Sequence, residues 1–148
     1  RAVENGQDKV ARWNMMMAST EGAMAFSKGL GAVHSMSHAI GADQNLRLHH
    51  GTLNAVILPT VLRFNKEHVG DKYSKIARAM GKEDSADLAE IIEDLNIKIG
   101  LPRGLKEMGV TEKMIPELID HSIADPSNAT TPRLPNRKEW EELFLDSM

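Results

Sequence analysis

The sequence predicts an all-α fold, a single helical bundle over residues 1–148. Apolar residues recur at i, i+3, i+4 and i+7, the spacing that lines one face of a helix. No segment alternates β-branched and polar residues for long enough to make a strand. Capping and breaking residues cut the chain into pieces of helical length. At 148 residues the chain suits one domain with a real core, and 41% hydrophobic with 26% charged residues is the balance of a folded protein rather than a disordered one.

The elements follow in order. Asp8 to Ser27 is rich in Met and Ala and reads as a helix with Gly22 as its weak point. Its Trp13, Met15-Met16-Met17 and Met24 read as core packing. Lys28-Gly29-Leu30-Gly31 breaks that run, and Ala32 to Ile40 reads as a short buried helix closed by Gly41. Met36, between two histidines, is placed to line a pocket. Gly41 to His49 reads as a loop. Gly51 to Glu67 reads as a long helix with Leu53, Val56, Ile57, Val61 and Phe64 near one face, kinked at Pro59 by the missing amide donor.

Lys72 to Met80 reads as another short helix. Ser85 to Ile99 is the clearest amphipathic segment, with Leu88, Ile91, Ile92, Leu95 and Ile99 inward, Asp84 or Ser85 as cap, and Gly100-Leu101-Pro102 as terminator. Thr111 is the expected cap of a helix carrying Ile115, Leu118 and Ile119, stopped by Asp125-Pro126. Pro126 to Pro135 reads as an extended connector. Asn136-Arg-Lys-Glu139 has the form of a capping box for a last helix with Trp140, Leu143 and Phe144 inward. No repeat, low-complexity tract or sustained heptad appears.

Composition removes several classes of function. The net charge is −3 and the basic residues are scattered, Arg133/Arg137/Lys138 being the nearest to a cluster, which argues against nucleic acid as a partner. No apolar run approaches a membrane span. The chain has no cysteine, so disulfides, thiolate metal sites and thiol catalysis are excluded. Any metal must use nitrogen and oxygen ligands. The lack of cysteine also fits a reducing compartment, and a cytoplasmic location is the expectation.

The chemistry-bearing stretch runs from Gly31-Ala-Val-His34-Ser-Met-Ser-His38-Ala-Ile-Gly41 to His49-His50-Gly51. His34 and His38 are i and i+4, on one helix face. Their neighbours are small, which lets a ligand approach the backbone. His49 or His50, at the start of the next helix, can return beside His34. The ordinary reading is two buried histidines satisfied by backbone carbonyls with an exposed pair on a loop. The spacing, the flanking glycines and the third histidine favour a metal-assisted site, imidazole being the commonest metal ligand and proton shuttle. His68 and His121 have no clustered partners and read as surface residues.

On these residues the chain resembles the C-terminal half of the iron-containing (group III) alcohol dehydrogenases. Ala11-Arg12, Ala18-Ser19 and Gly22-Ala23-Met24-Ala25-Phe26 resemble the helix before that family's metal site, and the Gly31–Gly41 stretch resembles its glycine-and-histidine signature. His50-Gly51-Thr-Leu-Asn54-Ala55-Val-Ile-Leu-Pro59, Phe64-Asn65, Ile99-Gly100-Leu101-Pro102 and Pro132-Arg133 resemble later landmarks, so the resemblance covers essentially the whole chain. It implies the helical, metal-binding domain of a dehydroquinate synthase-like fold. It implies an oxidoreductase moving hydride between a small alcohol and its aldehyde or ketone, with NAD or NADP. It implies Fe²⁺ as the metal, or Zn²⁺ in its place.

The family holds its metal with one Asp and three His. The resemblance carries two of these onto His34 and His50, and places His38 near the nicotinamide and substrate as a proton relay. No D-x-x-x-H and no glycine-rich nucleotide turn occurs in the sequence. The expectation is therefore a piece of a longer enzyme, inactive alone, whose nucleotide-binding domain is a missing partner; a homo-oligomer is allowed. The alternative is a stand-alone helical module that binds a metal or a partner without catalysis.

Overall fold

The computed structural model describes residues 1–148 as seven α-helices joined by turns and short 3₁₀ segments, with no strand. The helices are α1 (Lys9–Phe26), α2 (Ala32–Gly41), α3 (His50–Asn65), α4 (Lys72–Ala79), α5 (Leu88–Lys98), α6 (Ile115–Ala124) and α7 (Arg137–Asp146). α3 is the hub: α2, α5 and α7 pack on it, α6 packs on α2 and α7, and α4 packs on α5. The core comes from α2, α3, α6 and α7 and the 3₁₀ turn Leu105–Met108, with Met36, Ile40, Leu53, Ile57, Leu105, Trp140 and Phe144 fully buried. No helix is long and apolar enough to cross a membrane.

Local chemistry sets most boundaries. Asp8 caps α1 through its side chain, accepting from the Ala11 N–H. Asn136 and Glu139 form a complete capping box at α7, and Trp140, Leu143 and Phe144 turn inward as their spacing predicts. α3 starts at His50, and Lys66–His68 tightens into a 3₁₀ turn beyond it. α3 runs through Pro59 without interruption. Pro59 has no N–H for the Ala55 carbonyl, four residues back. That carbonyl accepts instead from the Asn96 side-chain amide on α5 at 2.7 Å. The interface of α3 with α5 thus contains a buried amide that repairs the helix at its proline.

Several expectations are corrected. The cap of α5 is Asp87, not Asp84 or Ser85, and the helix starts at Leu88. Asp84 is engaged by Arg78, whereas Asp87 accepts from the Ala89 and Glu90 amides. Leu95 is exposed and Ile91, Ile92 and Ile99 are half-buried, so α5 buries Leu88, Ala89 and Asn96 instead of a full apolar stripe. Thr111 starts a 3₁₀ turn, Glu112–Met114, without a side-chain cap, and α6 begins only at Ile115. Pro126–Thr130 is a 3₁₀ turn rather than extended chain, because Asp125 caps it by accepting from the Ser127 N–H. Met36 lies wholly within the core and lines no pocket of the site. The largest departure is α1. Trp13, Met15, Met16, Met17 and Met24 are exposed and Ala11 is the one buried residue, so the methionine-rich run packs on nothing in this chain.

Candidate metal centre

α2 and α3 bring the three histidines together. His34 and His38 project one turn apart from α2, and His50 opens α3. The ring centroids lie 5.7 Å apart for His34 and His38, 5.3 Å for His34 and His50, and 5.3 Å for His38 and His50. The last pair is nearly parallel, at 16°.

The structure separates His49 from His50. His49 is the N-cap of α3, its Nδ1 accepting from the Thr52 N–H at 3.3 Å, and its ring rests near Gly51. His50 faces the cluster. His68 and His121 are exposed and lie outside it.

Asn54, one turn after His50, completes the arrangement. Its Nδ2 lies 3.3 Å from His34 Nε2 and 3.0 Å from His50 Nε2. An amide NH₂ only donates, so both Nε2 atoms accept and both rings carry their proton on Nδ1. Two imidazole lone pairs therefore converge on one electropositive group. Asn54 Oδ1 is buried with no hydrogen-bond partner, an orphan at the same place. Burial, followed by the neighbouring His50 and His38 rings, holds His34 below the usual histidine range, against an opposing pull from Asp125. Burial, followed by His38 and His49, lowers His50 in the same way. Neutral nitrogen donors at a shared focus suit a borderline divalent ion such as Fe²⁺. No group of three or more His, Asp or Glu side chains is arranged to hold a metal by itself. The residues present fit part of a metal site, with two donors.

His38 is oriented differently. Its Nδ1 lies 2.9 Å from Asp125 Oδ2, at the end of α6. Burial is the largest influence on Asp125 and pushes its carboxyl upward, but hydrogen bonds from Ser127 and His38 outweigh it and hold the group below its ordinary value. The end of α6 is tied to α2 by a closed set of bonds. Ser35 Oγ donates to Asn128 Oδ1 at 2.8 Å, the Asn128 amide donates to the Ser122 carbonyl at 2.6 Å, and Ser122 Oγ donates to the Ser35 carbonyl at 3.3 Å. Thr130 Oγ1 donates to the Leu30 carbonyl at 2.5 Å, at the entry to α2. Gly29 there has φ +120°, and a Cβ would strike Thr130, so glycine is required for this approach.

His34 and Asn54 also stand in the wall of an open cleft of about 500 Å³ between α1, α2 and α3. Its other walls are mostly small or apolar, among them Gly22, Phe26, Val33 and Leu58. Sequence reasoning missed Asn54 and Asp125 as site residues. Asn54 carried a signal, the His50-x-x-x-Asn54 spacing that puts both on one helix face. Asp125 carried none, lying 87 residues from His38.

Comparison with known proteins gives the family and the fold. The family model described as "Fe-containing alcohol dehydrogenase family, C-terminal" matches residues 1–148. The 4-hydroxybutyrate dehydrogenase of Cupriavidus necator is 45% identical over 155 aligned positions, which take in 100% of this chain and 41% of that protein. The 1,3-propanediol dehydrogenase of Citrobacter freundii is 37% identical, across 97% of this chain and 39% of its own length. The crystal structure of a 1,3-propanediol oxidoreductase superposes with a TM-score of 0.92 at 33% identity, covering 99% of this chain and 40% of the other. An alcohol dehydrogenase from Oenococcus oeni superposes with a TM-score of 0.91 at 26% identity, again over 99% of this chain and 40% of the other. The chain thus spans about two-fifths of the length of the relatives it matches.

Proposed function

The chain belongs to the iron-containing alcohol dehydrogenase family, and from that premise we propose that it is the helical, metal-binding domain of an enzyme that interconverts a small alcohol and its aldehyde or ketone with NAD(P). The observation that carries this reading is the convergence of His34 Nε2 and His50 Nε2 on one point beside an apolar cleft. His34 and His50 would hold Fe²⁺ through neutral nitrogen, the state that burial favours for both. A divalent ion held there supplies Lewis-acid polarisation of the substrate oxygen. His38, one turn from His34, moves the hydroxyl proton between substrate and solvent. The apolar cleft walls, Phe26 and Leu58 among them, would pack against the apolar part of the substrate.

The remaining ligands and the nucleotide-binding domain are assigned to the part of the relatives that this chain does not span. The exposed face of α1 supports that assignment. Trp13, Met15, Met16, Met24 and Phe26 are each more than half exposed, a concentration of bare large apolar side chains on one helix that a neighbouring domain would cover. Relatives named for 4-hydroxybutyrate and 1,3-propanediol support a short alcohol that bears a second oxygen function.

The test joins these residues to the N-terminal region of the 45%-identical relative and measures NAD(P)-dependent alcohol oxidation with Fe²⁺. Turnover is expected from the joined protein, lost on His34→Ala or His50→Ala, and absent from the 148-residue chain. Full turnover by the histidine variants, or by the short chain alone, would contradict the assignment.

A further inference from the structure

We propose that Asp125 is the positioning residue of His38, fixing the ring as its Nδ1–H tautomer and keeping Nε2 free to receive a proton. The proposal rests on the reading of His38 as the relay. Asp125 Oδ2 lies 2.9 Å from His38 Nδ1, and its side chain is only 14% exposed. Its other oxygen accepts from the Ser127 N–H at 2.8 Å, so the carboxylate cannot swing away without uncapping the 3₁₀ turn. That turn is tied to α2 through Asn128 and Ser35, and to the segment entering α2 through Thr130 and Leu30. Asp125 and the helix that carries His38 therefore form one rigid unit.

A carboxylate only accepts hydrogen bonds, so the shared proton sits on His38 Nδ1. Nε2 is left with its lone pair, on a side chain that is 41% exposed. In alcohol oxidation the substrate O–H bond breaks and an Nε2–H bond forms while the hydride leaves for the nicotinamide. The imidazolium stays paired with Asp125 until Nε2 releases its proton to water. Without Asp125 nothing in the site selects the tautomer, and the ring keeps only its contacts with the His50 and His34 rings.

Asp125→Asn separates this role from a structural one. The Asn Oδ1 keeps the bond from Ser127, and its NH₂ then faces His38 Nδ1. An amide NH₂ donates, so the variant imposes the Nε2–H tautomer. Nitrogen-15 NMR of the 148-residue chain reads the tautomer directly, without metal, nucleotide or turnover. The expected result is Nδ1–H in the parent, Nε2–H in Asp125→Asn, and a mixture in Asp125→Ala. In the joined enzyme, Asp125→Asn is expected to lower kcat by about 10- to 100-fold with KM within about threefold, since positioned acid–base groups contribute 10²–10⁴. If Asp125→Ala fails to fold, Asp125→Asn alone decides. A parent His38 in the Nε2–H form, or a tautomer unmoved by Asp125→Asn, overturns the proposal. A reversed tautomer with unchanged kcat confirms the positioning and removes the relay role from His38.

Discussion

Replacing Asn96 tests whether the helix that carries His50 and Asn54 depends on a repair at its proline. Pro59 leaves the Ala55 carbonyl without a backbone donor, and the Asn96 amide supplies one at 2.7 Å. Asn96→Ala removes that bond and leaves the carbonyl unpaired, a single loss of about 1–3 kcal/mol. Asn96 and Pro59 line one cleft, so water can reach part of the space left behind. The cost then stays below the upper end, at about 2 kcal/mol. With a urea m-value of about 2 kcal/mol/M, the unfolding midpoint drops by roughly 1 M. Pro59→Ala supplies the missing N–H. In that background Asn96→Ala should cost only about 0.5 kcal/mol, a coupling of about 1.5 kcal/mol in a double-mutant cycle followed by circular dichroism. An equal cost of Asn96→Ala in both backgrounds would refute the reasoning.

Two further outcomes follow from burial and titration. Trp140 is fully buried and Trp13 is 59% exposed, so Trp140→Ala should cost about 3–5 kcal/mol and Trp13→Ser less than about 0.5 kcal/mol; comparable losses on urea unfolding would show that α1 packs on this chain after all. Burial, then the neighbouring histidine rings, holds His34 and His50 below the usual histidine range near 6.5 in the folded chain. The unfolded chain therefore takes up protons first, and the stability these groups contribute is complete above pH 6.5 and is lost as pH falls through their folded values. Metal-free unfolding between pH 8 and 5 should show that loss in the parent and less of it in His34→Gln; the same slope in both would contradict it.

The sequence revealed features whose causes are local. The i, i+4 pair His34 and His38 and the nearby His50 needed only helix spacing and a short loop to be grouped. The α7 capping box was legible because its partners lie three residues apart. Asp87 was missed because the choice between Asp84 and Asp87 depends on Arg78 and Lys66 on other elements. Asp125 met His38 only through the packing of α6 on α2. The methionine run of α1 misled for another reason: large apolar side chains on a helix show surface made to be covered, but not which chain covers it.

Anaerobic calorimetric titration of the 148-residue chain with Fe²⁺ tests the central claim most directly. Weak binding at one site is expected. It should vanish in His34→Ala and in His50→Ala, and persist in His49→Ala, whose ring caps α3. Binding that survives the first two substitutions, or disappears only with His49→Ala, would contradict the assignment of His34 and His50 as the pair that holds the metal.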